Sequence, residues 1–204
     1  MAHRPFEEVL APNLYFDRRL NIEAAKILPG EYFVTARDMA LVTVLGSCVA
    51  ACVRDRISGI GGMNHFMLPN SGGDPDNPLG TSMRYGSYAM EILINQLIKL
   101  GAIRANLEAK VFGGGQVLRG FSAGNVGERN AEFVLDYLRT ENIRVAAQDL
   151  LDIFPRKVYF FPQSGKVLVK KLRKENNNTI VEREQEYVAR ITSTDVVGDV
   201  ELFS

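Results

Sequence analysis

A cysteine at position 48 and a histidine at position 65 are of types that could perform covalent chemistry together; the other histidine, His3, stands in what reads as a loose N-terminus. Cys48 closes the run Leu41-Val42-Thr43-Val44-Leu45-Gly46-Ser47-Cys48, and His65 stands inside Gly61-Gly62-Met63-Asn64-His65-Phe66-Met67-Leu68-Pro69. A free thiol, with a pKa of roughly 8.5, is largely protonated at neutral pH and needs help to act as a nucleophile. An imidazole supplies it: it takes the thiol proton, its cation steadies the thiolate, and it can later protonate a leaving amine. That sequence of steps suits attack on an amide, with loss of ammonia or amine and hydrolysis of the thioester by water. The tetrahedral oxyanion needs donors, and the backbone N–H groups of the Ser47-Cys48 corner are the natural ones, with Gly46 and Ser47 shaping the turn. On residue types alone, the pair reads equally well as two packed core residues.

The elements that must position the pair are short and apolar. The β-branched run 41–45 reads as a buried strand that ends on the Gly46-Ser47 corner and delivers Cys48 there. Gly61-Gly62 frees the backbone for a tight turn or a close approach before His65. Tyr32-Phe33-Val34-Thr35 and Val49–Val53 add two more strands, so residues 31–68 read as a series of strands with tight connections. Residues 70–82 form a Gly-, Pro- and Asp-rich loop, readable as a lid or as a plain connection. The clearest helix runs from about Tyr85 to Leu100, with Ala89, Leu93, Leu97 and Leu100 at helical spacing, Ile92, Ile94 and Ile98 broadening the apolar face, and Gly101 closing it. Leu107, Ala109 and Val111 alternate as a strand into Gly113-Gly114-Gly115. That run lacks the following Lys-Ser/Thr and the spacing of a phosphate cradle, so close backbone packing beside the site is its expected role. A second helix follows Gly127-Glu128-Arg129-Asn130, then a strand through Ile143, Val145 and Ala147. A hairpin pairs 157–161 with 166–170, one face buried and one wet.

Composition excludes several classes. Twenty-four basic residues balance 24 acidic ones in 204, which leaves no basic excess for a nucleic acid or an acidic membrane surface. Apolar runs stop short of a membrane-spanning length, and the charged N-terminus does not read as a secretory signal, so the expected location is the cytoplasm. Two cysteines make no disulfide framework; on an extended segment Cys48 and Cys52 would sit roughly 13 Å apart, beyond bridging reach. Cys48, Cys52 and His65 make three ligands where a structural zinc site takes four, so no metal and no cofactor are expected. Cys52, among Val49, Ala50, Ala51 and Val53, reads as a small core residue.

The segments Thr43–Cys52 and Gly61–Pro69 closely resemble those of the CheD family, the chemoreceptor glutamine deamidases. The resemblance continues through Leu28-Pro29-Gly30-Glu31-Tyr32, Ala109–Gly115, Gly127–Asn130 and the Lys157–Lys170 hairpin, and spans about residues 28–170. It implies an enzyme that hydrolyses side-chain amides of chemoreceptor glutamines, giving glutamate and ammonia in bacterial chemotaxis. It also implies a Cys-His-Thr constellation in which Cys48 and His65 take the first two positions. Thr43 is the nearest candidate for the third; were the family's threonine aligned with Val42 instead, Thr43 would face away from the imidazole. The implied fold is α/β (α+β), with sandwich-like mixed sheets flanked by helices, similar to cysteine deamidases of the cytotoxic-necrotizing-factor type. The implied partners are methyl-accepting chemoreceptors and a CheC-type phosphatase. The organisation expected is an arm over 1–27, a deamidase domain over 28–172 and a peripheral extension over 173–204 that docks on the domain or a partner. Two rival readings are a non-catalytic adaptor of the same fold and a redox-sensing thiol protein with Cys52 resolving Cys48.

Overall fold

The structure, a computed structural model, describes residues 9–11, 13–69, 78–117, 126–172 and 178–193. Eleven strands among these residues fall into two sheets. The six-stranded sheet has the order β1 (Val9–Leu10), β4 (Glu31–Thr35), β7 (Gly61–His65), β6 (Val49–Asp55), β8 (Leu107–Gly113), β9 (Arg144–Leu150). The five-stranded sheet has the order β11 (Lys166–Lys171), β10 (Arg156–Phe161), β5 (Ala40–Leu45), β3 (Ile22–Lys26), β2 (Asn13–Asp17). Both are mixed: β1–β4, β8–β9 and β3–β5 run parallel, the remaining pairs antiparallel.

Helices α1 (Pro78–Lys99) and α2 (Val126–Thr140) cover one face of the six-stranded sheet. The five-stranded sheet packs against the other, where Leu41, Leu45, Val158 and Phe160 join residues of β6 and β7 in one core. Strand alternation decides which face each residue takes. On β5, Leu41 and Leu45 point into that core, while Ala40 and Val42 form a smaller cluster with Ala24 on the outer face. Thr43 therefore lies on the inner face, and Val42 does not.

Several expectations change here. The stretch read as a loose arm contributes β1, β2 and β3, and Ala24 and Ala25 are fully packed. It carries little sequence signal because β2 is an edge strand whose Leu14, Tyr15 and Phe16 are exposed, so no alternation marks it. The helix expected from Tyr85 begins at Pro78, inside the expected loop; residues 70–77 lie outside the described residues. Ile98 and Leu100, expected on its buried face, are exposed. The tail, read as an extension that docks as a strand or a helix, contains the helix α3 (Asn178–Ser193).

Candidate active site

Residues 46–48 are the corner by which the chain leaves the five-stranded sheet at the end of β5 and enters the six-stranded sheet at β6. All three carbonyls of the corner are held from one side. The Gly115 N–H donates to the Gly46 carbonyl and the Gly114 N–H to that of Cys48, both at 2.8 Å. Asn130 of α2 donates from Nδ2 to the Ser47 carbonyl at 2.9 Å and accepts the Leu68 N–H through Oδ1 at 2.9 Å. The glycine run thus does pack its backbone against the corner, and at Gly113 nothing larger fits: φ is +113°, and a Cβ there would lie 2.1 Å from the Cys48 carbonyl oxygen.

His65 ends β7. Its neighbour Asn64 points to α1, donating to the Ala89 carbonyl, so alternation turns the imidazole toward the other sheet. There Nδ1 lies 2.8 Å from Thr43 Oγ1, and the same Oγ1 lies 2.8 Å from the Ile27 carbonyl. A carbonyl only accepts, so the single hydroxyl proton goes to Ile27 and Oγ1 must accept from Nδ1–H. This fixes the tautomer: Nε2 is the unprotonated nitrogen, buried and without a hydrogen-bond partner among the described residues. Burial also pushes the His65 pKa down to about 3, with the Ile27 carbonyl opposing the shift. The ring rests neutral, as a base.

A fourth side chain completes the site. Glu184, on α3, is buried and inserts its carboxylate against the corner. Oε1 accepts the N–H groups of Gly46 at 2.9 Å and Cys48 at 3.0 Å; Oε2 accepts the Ser47 N–H at 2.9 Å and the Ser47 hydroxyl at 2.6 Å. A ring nitrogen of His65, the Cys48 sulfur and a Glu184 oxygen lie within 4.8 Å of one another. Burial, then the charge of Glu184 and its hydrogen bond to the thiol, raises the Cys48 pKa well above its ordinary value. A cavity of about 400 Å³ opens beside these groups, lined by His65, Thr43, Val44, Ile27, Ile180 and Glu184 among others.

Cys48, His65 and Glu184 are also three ligand types for a metal ion. The donor set argues against that use. Each carboxylate oxygen already accepts two hydrogen bonds, filling the lone pairs a cation would need.

Cys48, His65, Thr43, Gly46 and Ser47, all singled out from the sequence, therefore meet in one place. Reasoning from sequence missed Asn130 as a brace of the corner, the Ile27 carbonyl as the end of the Thr43–His65 chain, and Glu184. For Glu184 the available signal was weak: it shares a helical face with Tyr187 and Ile191, in a segment rich in charge.

A thiol beside an imidazole of fixed tautomer, on a corner whose amide N–H groups converge on one acceptor, is an arrangement chemically able to attack an amide. Comparison with known proteins narrows this. A family model described as "CheD chemotactic sensory transduction" matches residues 67–171. Similar along nearly their whole length are proteins named probable chemoreceptor glutamine deamidase CheD from three bacteria. That of Thiobacillus denitrificans is 70% identical, covering 97% of this chain and 98% of its own. Those of Herminiimonas arsenicoxydans and Methylobacillus flagellatus are 66% and 64% identical; the first covers 97% of this chain, the second 98%, and each is itself covered to 98%. The chain belongs to the CheD family. No helix among the described residues is long and apolar enough to cross a membrane.

Proposed function

We propose that this protein hydrolyses side-chain amides of chemoreceptor glutamines to glutamate and ammonia, with Cys48 as nucleophile and His65 as general base. The observation that carries the reading is the directed chain Ile27 carbonyl, Thr43 hydroxyl, His65 ring, which leaves Nε2 unprotonated on a ring that has a nitrogen within 4.8 Å of the thiol sulfur.

The thiol proton passes to Nε2 and sulfur adds to the amide carbon. Negative charge develops on the amide oxygen, where the Gly46 and Cys48 N–H groups converge on a single acceptor position, now that of Glu184 Oε1. One such donor is typically worth about 2.7–4 kcal/mol of barrier. The imidazolium gives its proton to the departing nitrogen, ammonia leaves, and water resolves the thioester with His65 again as base. Thr43 acts through the ring as a positioning residue. The new carboxylate adds negative charge to a receptor helix and changes its repulsion with neighbouring acids.

The test is incubation with a cytoplasmic chemoreceptor fragment and site-resolved mass analysis. A gain of about one dalton at particular glutamines (–NH2 replaced by –OH) is expected with the intact protein, and none with Cys48→Ala or His65→Ala. Full conversion by Cys48→Ala would refute the nucleophile assignment.

A second reading draws on the closure of the thiol, which is fully buried. Here the chain binds receptors or a CheC-type phosphatase in the cytoplasm without turnover. A stable complex with no mass change in the same experiment supports it.

A further inference from the structure

Glu184 occupies the corner in a pose that matches a reaction product. Hydrolysis of a glutamine side chain yields a glutamyl carboxylate, and Glu184 places those same atoms beside the Cys48 sulfur. Its oxygens are held by three backbone N–H groups and one hydroxyl. Among the described residues no lysine or arginine forms an ion pair with this buried carboxylate; backbone N–H groups and the Ser47 hydroxyl offset its desolvation instead. The seat is shaped for it: a Cβ on Gly46 would lie 2.8 Å from one Glu184 oxygen and 2.9 Å from the other.

The helix that carries Glu184 is docked in its own right. Tyr187 and Ile191 share the buried face, one and two turns on. The Tyr187 hydroxyl hydrogen-bonds that of Tyr85 on α1, and Arg190 donates from Nη2 to the Pro29 carbonyl at 3.3 Å. With α3 in place Cys48 has no exposed surface, and the acceptor position that a substrate amide oxygen needs is filled.

We propose that α3 is a tethered product mimic, a segment of the chain itself whose Glu184 carboxylate closes the thiol site until the helix leaves. This rests on the amide-hydrolase reading of Cys48 given above. A tethered group competes at an effective concentration of order millimolar without any new contact. A substrate glutamine must therefore displace it.

Three measurements on the full chain test this. The first is alkylation of Cys48 by iodoacetamide, with Cys52, buried in the middle of β6, as the reference for an intact fold. Opening a site that is free only about a tenth of the time should speed Cys48 alkylation about tenfold in Glu184→Ala, with Cys52 unchanged. Equal Cys48 rates in the two proteins overturn the proposal.

The second uses Glu184→Gln, which puts a substrate side chain in the product position. The Cys48 sulfur bonds to the carbon of the introduced amide, the carbon–nitrogen bond breaks, and ammonia leaves with the thiol proton. Water then splits the thioester, restoring the thiol and leaving a glutamate side chain at this position. One water is consumed and one ammonia released. Peptide mass analysis should show this conversion in Glu184→Gln and its absence in Glu184→Gln/Cys48→Ala. An introduced amide that persists while the same protein deamidates a receptor fragment overturns the product pose. The third measurement is turnover of the receptor fragment, expected to rise in Glu184→Ala; a fall overturns the proposal. Faster alkylation with no conversion of any glutamine, in the receptor or on α3, leaves the closure standing and removes the hydrolase reading instead.

Discussion

Thr43 accepts the Nδ1 proton of His65 at 2.8 Å while giving its own hydroxyl proton to the Ile27 carbonyl. The hydroxyl thereby sets which ring nitrogen is free to take a proton from the thiol. Thr43→Val keeps the shape of the side chain and removes that acceptor. Deamidation should drop by roughly 10²-fold or more, yet less than the roughly 10⁴-fold known for a triad imidazole left in the wrong tautomer, because the Ile27 carbonyl still faces the ring. Thr43→Ser should recover most of the rate, in kcat rather than KM. Unchanged kcat in Thr43→Val would remove the positioning role.

Burial of His65 makes stability depend on pH in a defined window. The ring titrates near 6.5 in an unfolded chain and at about 3 here, so between those values the unfolded chain binds a proton that the folded chain refuses. The contribution is fully present above pH 6.5 and is lost as pH falls toward 3, by at most about 1.4 kcal/mol per pH unit. Urea unfolding at pH 7 and pH 5 should show His65→Gln losing about 2 kcal/mol less than the wild type over that interval. The carboxylates that titrate in the same range are common to both proteins and cancel in the comparison. Identical losses would mean that the ring takes up protons readily in the folded state.

Two glycines with similar backbone angles should respond differently to alanine. Gly101 closes α1 at φ +107°, with Ile60 Cδ1 3.7 Å from a built Cβ as its nearest contact, so Gly101→Ala bears only backbone strain, about 1–2 kcal/mol. Gly113 has φ +113° and the Cys48 carbonyl oxygen 2.1 Å from the same built atom. Gly113→Ala must push the nucleophile's own peptide aside. Thermal unfolding should show the larger loss for Gly113→Ala, and receptor deamidation should fail in that variant while surviving in Gly101→Ala. Equal activity in the two would show that the corner tolerates displacement.

Cys52 separates hydrolysis from redox chemistry. Both thiols are free and buried; Cys52 lies on β6 among Ala51, Val53 and Met63, and burial raises its pKa. Cys52→Ala should leave receptor deamidation within about twofold of wild type and cost about 1–2 kcal/mol in stability through the lost sulfur packing. Peroxide treatment of the wild type, mapped by mass, should give no Cys48–Cys52 bridge. A bridge would revive a resolving role for Cys52.

Much of the site could be read from the chain because it depends on local properties. Residue type marks Cys48 and His65 as the pair able to do the chemistry, the β-branched run 41–45 marks the strand that ends at the corner, and the glycine run marks a close backbone approach. Periodicity of two put Thr43 and Val42 on opposite faces, but a period does not say which face is inward; the packing of Leu41 and Leu45 into the core decided for Thr43. The same limit applied to the ends of the chain. An edge strand exposed on both faces, such as β2, leaves no alternation to find, and the role of Glu184 rests on contacts made 136 to 138 residues away along the sequence. Local sequence encodes what a residue can donate, accept or bury. The partner that a buried carboxylate meets is fixed only when two distant segments fold against each other, which is why the sequence singled out Cys48 and His65 as the candidate pair and the tertiary structure decided what covers them.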